Sequence, residues 1–118
     1  MNNKMPDLIQ IDKELVRLSQ SLGTAIDDYE TVCREAANAR SDYDIAKARA
    51  LLKADGSSRE LREAEATILC KDQMTECRIK ENLMGALKER IRALQSVISV
   101  QQTRLRYLDE GETLGHRK

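Results

Sequence analysis

The sequence predicts an all-α protein: two long helices folded back on each other as an antiparallel coiled-coil hairpin, assembled into a homo-oligomer. Three observations carry this expectation. Of 118 residues, 41% are hydrophobic and 34% charged, with no Phe, no Trp and one Pro. Aromatic side chains supply the largest buried areas of compact cores, and a composition led by Ala, Glu, Lys, Leu and Arg is that of long helices. Apolar residues recur at alternating spacings of three and four along most of the chain. One short segment, Ala54-Asp55-Gly56-Ser57-Ser58, breaks that pattern near the middle. The expected organisation is a single domain over 1–118: a helix over about 7–54, a turn over 55–58, a helix over about 59–110 and a frayed tail over 111–118.

The first helix opens after Pro6, where the Asp7 carboxylate can accept from free backbone N–H groups as an N-cap. Its seam is Leu8, Ile11, Leu15, Leu18, Leu22, Ala25, Tyr29, Val32, Ala36, Ala39, Tyr43, Ala46 and Ala50. A 3.5-residue period implies a left-handed supercoil against a partner helix. Gly23 interrupts this helix at a cost of about 1 kcal/mol relative to Ala. Large seam residues early and alanines late predict that the two ends pack differently.

At the turn, Gly56 suits a left-handed C-terminal cap, and Ser57 with Glu60 suits a capping box that restarts the chain. So short a link returns the second helix antiparallel to the first. The second seam runs through Met84, Leu87, Ile91, Leu94, Ile98, Gln101, Leu105 and Leu108. Leu61, Ala64 and Ile68 do not share its register, so a stutter is expected between Ile68 and Met84. Val97 and Val100 fall off the seam, as do Leu51 and Leu52. One hairpin leaves such residues uncovered, which is the argument for a homo-oligomer. Gly111 suits a terminator.

Chemistry is sparse. Cys33, Cys70 and Cys77 lack C-x-x-C spacing and suit reduced, buried thiols of a cytoplasmic protein. His116 is the only histidine and lies in the tail, so neither a metal site nor a nucleophile–base pair is expected. There is no P-loop, and carboxylates such as Glu14 and Glu30 sit three or four residues from Arg17 and Arg34 as ordinary helix pairs. The sequence therefore predicts no enzyme, no cofactor and no small-molecule substrate. Met1 to Pro6 lack the apolar run of a secretion leader, and no apolar stretch is long enough for a membrane span.

Twenty basic and twenty acidic residues give a formal net charge of zero, a weak basis for neutralising phosphates. The distribution is uneven: residues 1–77 carry 11 basic and 15 acidic side chains, and residues 78–118 carry 9 and 5. Two basic clusters result. Lys47, Arg49 and Lys53 precede the turn, and folding back would set Glu63 and Glu65 opposite the first two as flanking salt bridges. Arg78, Lys80, Lys88, Arg90, Arg92, Arg104 and Arg106 follow on the second helix. Tyr29 and Tyr43 belong to the seam, while Tyr107 lies off it as the one aromatic placed for base stacking.

The stretch Tyr43-Asp44-Ile45-Ala46-Lys47-Ala48-Arg49-Ala50, running on to Asp55-Gly56, resembles small helical proteins of tailed phages and is similar to phage recombination mediators of the UvsY type. Those mediators carry a Lys-Ala-Arg-Leu segment on a helix before a Gly-containing turn; here Ala50 stands where the family has Leu. The resemblance implies an all-helical ring that binds single-stranded DNA and helps load a RecA-like recombinase onto strand covered by single-strand-binding protein, in the cytoplasm of a phage's host. It implies a DNA-contacting role for Lys47 and Arg49. Lys53, Lys88, Arg90 and Arg92 are the further candidates from the charge pattern. The other expectation is a coiled-coil structural or assembly protein that does not bind nucleic acid. A secreted hairpin of the type-VII-secretion kind fits less well, because Asp55-Gly56-Ser57 stands where that group has Trp-x-Gly.

Overall fold

In the computed structural model the backbone is described from Lys4 to His116 and the side chains from Asp7 to Gly111. The expected leaderless start and frayed tail fall largely outside these described side chains. Three helices account for nearly all of the described backbone: α1 (Lys4–Lys53), α2 (Arg59–Leu69) and α3 (Lys71–His116). No strand forms among the described residues.

Helix α1 begins earlier than the sequence suggested. Asp7 is therefore inside the first turn and not an N-cap; a carboxylate there still opposes the positive end of the helix dipole. Every predicted seam residue of α1 is buried or half-buried, and Ile11, Leu18, Ala25, Val32, Ala36, Ala39 and Ala50 are buried. Gly23 does not break the helix, and a Cβ there would meet nothing within 4 Å.

The link after α1 corrects two expectations. No described glycine has a positive φ, so Gly56 is not a left-handed cap. Its requirement is space: a Cβ would lie 2.8 Å from Leu61 Cβ and 2.9 Å from the Arg62 backbone nitrogen. The capping box is also displaced. Ser58, with extended φ −121° and ψ 161°, is the N-cap of α2, and its side chain accepts from the Leu61 N–H at 3.2 Å. Its partner position is thus occupied by Leu61, which has no carboxylate to return the bond. Glu60 remains in the first turn of α2.

The second helical stretch is interrupted at Cys70, where φ −101° and ψ 16° depart from helical values. The break is one residue long, and hydrogen bonds continue across it from Cys70 N–H to Ala66 and from Met74 N–H to Cys70. It replaces the expected stutter. The inward row before Met84 is Ala66, Cys70 and Cys77, all buried, while Leu61, Ala64 and Ile68 face solvent. Small residues took the seam that sequence reading gave to the larger ones. From Met84 to Leu108 the predicted seam holds, each residue being half-buried. Helix α3 continues past Gly111 to His116.

The chain groups into two compact units. A central unit comprises Asp28–Leu87, and a terminal unit takes the described residues on either side of it. In the central unit, Ala50 of α1 meets Ala66 and Cys70, with Tyr43 and Ala46 packed against them. Two ion pairs also tie α1 to α3 there: Arg40 with Glu81 at 2.6 Å and Lys80 with Glu35 at 2.7 Å. In the terminal unit, Ile11, Leu18 and Ala25 of α1 are buried, and no ion pair joins α1 to α3 among the described residues.

Candidate functional site

The basic residues singled out in the sequence are divided between the two units. Lys47, Arg49 and Lys53 belong to the central unit, and Lys88, Arg90 and Arg92 to the terminal one. With Leu15 and Met84 taken as heptad position a, Lys47 and Arg49 occupy e and g and so flank the α1 seam on opposite sides. Lys88, Arg90 and Arg92 occupy e, g and b, which spreads them around α3.

Their environments differ as well. Lys47 is half-buried, with its ammonium 5.9 Å from the Tyr43 ring centre, and Arg40 stands at the same distance from that ring. That is cation–π range, so Lys47 and Tyr43 are engaged with each other. Arg49 and Lys53 are exposed. The salt bridges expected to neutralise Lys47 and Arg49 do not form. Glu63 pairs with Arg59 at 3.2 Å and Glu65 accepts from the Asp55 N–H at 3.1 Å. Arg92 pairs with Glu89 at 3.1 Å, and Lys80 is held by Glu35. Arg49, Lys53, Lys88 and Arg90 have no carboxylate within ion-pair distance among the described residues.

The strongest electrostatic knot lies between α1 and α3 in the central unit. Arg40 Nη2 and Nε donate to one Glu81 oxygen at 2.6 and 3.1 Å, and the Cys77 thiol donates to the same oxygen at 3.3 Å. The Arg40 hydrogen bond leads in holding the Glu81 carboxyl below its ordinary range. Burial, then the bond to Glu81, pushes the Cys77 thiol up, which keeps it protonated and a poor nucleophile. The bond to Glu35 raises Lys80, and the bond with Cys33 raises Tyr29. All three cysteines are free thiols. A groove beside this knot is lined by Glu35, Asp42, Asp72, Glu76 and Lys80, and its mainly acidic wall is unsuited to phosphate. No group of residues that could hold a metal ion is found among the described residues, and no described helix is long and apolar enough to cross a membrane.

Comparison with family models, with curated proteins and with solved structures finds no match to this chain.

What sequence reading missed is a second row on α3. Arg90, Ala93, Val97, Val100, Arg104 and Tyr107 follow one another at spacings of three and four, at heptad positions g and c, and all are exposed. Val97, Val100 and Tyr107 are 44%, 59% and 78% exposed. The same spacing reaches back to Ile79 and Leu83, which are exposed within the central unit. The signal was present in the seven-residue recurrence Ile79, Ala86, Ala93, Val100, Tyr107. It stayed hidden because the stronger a/d seam was read first and the interleaved arginines were counted as charge alone.

Proposed function

We propose that this protein is a self-assembling helical module: an antiparallel hairpin of α1 against α2 and α3 whose remaining apolar rows join further copies into a homo-oligomer. The observation that carries this reading is the second heptad row on α3. A soluble helix ordinarily confines its apolar residues to one stripe. A helix with two rows in the same supercoil period has the pattern of one packed between two neighbours. Exposed Leu61, Ile68 and Leu69 on α2 add uncovered apolar surface, and contiguous apolar surface marks interaction sites. The antiparallel return is supported by the Arg40–Glu81 and Lys80–Glu35 pairs. Light scattering across a concentration series tests the reading. A mass that is a multiple of one chain is expected, and a single chain at every concentration would overturn it.

Single-stranded DNA binding in the manner of a recombination mediator is the second reading. The observation in its favour is that Arg49, Lys53, Lys88 and Arg90 lack acidic partners among the described residues. An assembly would repeat them, so that weak contacts sum. Fluorescence anisotropy at low and moderate salt tests it: binding that weakens with salt, and is lost in Arg49→Ala/Lys53→Ala with mass retained, would favour this role. Absence of binding by an intact oligomer would leave an assembly module without nucleic acid.

A further inference from the structure

We infer that the outer row of α3 docks on a second copy of this chain, against the acid-lined face of that copy's central unit. This rests on the self-assembly reading and adds the surface that receives the row. Both helices build the receiving face. On α1, Glu35, Asn38, Asp42 and Ile45 follow one another at spacings of three and four, at heptad positions g and c. On α3, Asp72, Glu76, Ile79 and Leu83 do the same. Residues so spaced share one side of a helix. The charged lining of the groove there is Glu35, Asp42, Asp72, Glu76 and Lys80, and Asn38, Ala39 and Gln73 complete it. The two rows run on into Ile45, Ile79 and Leu83, all exposed.

The charge of this face is one-sided. Four carboxylates line the groove against one ammonium, and that ammonium, Lys80, is held by Glu35 at 2.7 Å. Asp42, Asp72 and Glu76 have no cation within ion-pair distance among the described residues. Arg49 borders the adjoining hollow with Asp42 and Ile45, and with it included four acids still stand against two bases. The α3 row is the converse. Arg90, Ala93, Val97, Val100, Arg104 and Tyr107 hold two guanidiniums and no acid. Arg104 donates to the neutral Gln101 at 3.3 Å, and nearby Glu89 is taken by Arg92 at 3.1 Å.

Each surface therefore works against its own kind. Two α3 rows would set arginines together, and two acid-lined faces would set carboxylates together; like charges so placed oppose pairing. The groove of the terminal unit gives an arginine no preference, because Asp12 and Asp109 are matched there by Lys13 and Arg106. The acid-lined face does give one. Val97 and Val100 lie between the two arginines of the row, so apolar contact with Ile45, Ile79 and Leu83 would be flanked by ion pairs. That is the usual order of an interface, an apolar centre within a polar rim. Every chain carries both surfaces, so a second copy supplies the partner in equal amount.

The experiment is a charge exchange read by light scattering, with circular dichroism as the check that helix content is kept. The exchanged side chains are exposed and make no ion pair within the chain. Arg90→Glu/Arg104→Glu and Asp42→Arg/Glu76→Arg are each expected to raise the concentration needed for assembly on the order of tenfold, equivalent to roughly 1.4 kcal/mol. An equal mixture of the two variants, or one chain carrying all four changes, is expected to recover assembly. Lys13→Glu/Arg106→Glu alters net charge as much as the first variant, from outside both surfaces, and is expected to leave assembly unchanged. An equal loss in that control would assign the effect to net charge and overturn the inference. Stronger assembly by either exchanged variant would overturn it too, since a surface would then face its own kind. So would exchanges that leave the wild-type mass intact, or losses that neither the mixture nor the fourfold variant repairs; in all these cases self-assembly itself would stand. A wild type that stays a single chain would remove both.

Discussion

The central and terminal units use the same seam in opposite ways. In the central unit most of the buried inward residues are small: Ala36, Ala39, Ala50, Ala66, Cys70 and Cys77, with Val32 as the larger exception. Small seam residues let backbones approach, as Ala50 does to Ala66 and Cys70. The Arg40–Glu81 and Lys80–Glu35 pairs then fix the register. In the terminal unit the inward residues are larger, yet Ile91, Leu94, Ile98, Leu105 and Leu108 on α3 remain half-buried. Large side chains hold two helices apart and leave their own flanks wet. The difference lies in the seams: the central one closes mostly over small residues and the α3 side of the terminal one leaves larger residues half-buried, while both units keep exposed apolar side chains, Leu52 and Ile68 in the central one and Val100 in the terminal one.

The largest expected effects break the comparison at its two seams. Leu18→Ala removes a buried side chain from the terminal unit and is expected to cost about 2–5 kcal/mol. Ala66→Leu forces extra volume into the closed central seam, where Ala66 is 0% exposed, and is expected to cost about 1–3 kcal/mol. Urea unfolding measures both. Tolerance of leucine at 66 would mean that the central seam is looser than its burial implies.

Two glycines sharpen the comparison at smaller scale. Gly56→Ala places a Cβ against the first turn of α2, and a thermal melt should show destabilisation of about 1–2 kcal/mol. Gly23→Ala meets open space, and the same melt should show stabilisation of about 1 kcal/mol from helix propensity.

The smallest effect is electrostatic. Glu81 is held below its ordinary range, first by Arg40. Its contribution is therefore fully present above the unfolded glutamate pKa and is lost as pH falls through the lowered folded value. The melting difference between wild type and Glu81→Gln should shrink over that acidic window and stay constant near neutrality. Partial exposure of both partners keeps the effect small.

Much of the fold was legible in the sequence because it rests on period. All thirteen α1 seam residues, and the eight from Met84 to Leu108, lie on inward rows. The region around Cys70 was not legible by the same rule. Hydrophobic size pointed to Leu61 and Ile68, whereas the close approach of α1 through Ala46 and Ala50 admits only Ala66 and Cys70. Ser57 and Ser58 offer the same hydroxyl one residue apart, so sequence alone did not choose the cap. Gly56 was read through its dihedral freedom, and its use is steric. The basic candidates were legible as residues but not as a surface: charge counts carry no angular information, and on the helix Lys88, Arg90 and Arg92 point apart.

The most direct test of the account is the mass in solution of the wild type beside Val97→Asp, measured by sedimentation with helix content checked by circular dichroism. Val97 is in the middle of the outer α3 row and takes no part in the inner seam. The expected result is a wild type at a multiple of the single-chain mass and a helical Val97→Asp reduced toward one chain. A wild type at one chain mass, or a variant assembled as fully as the wild type, would contradict it.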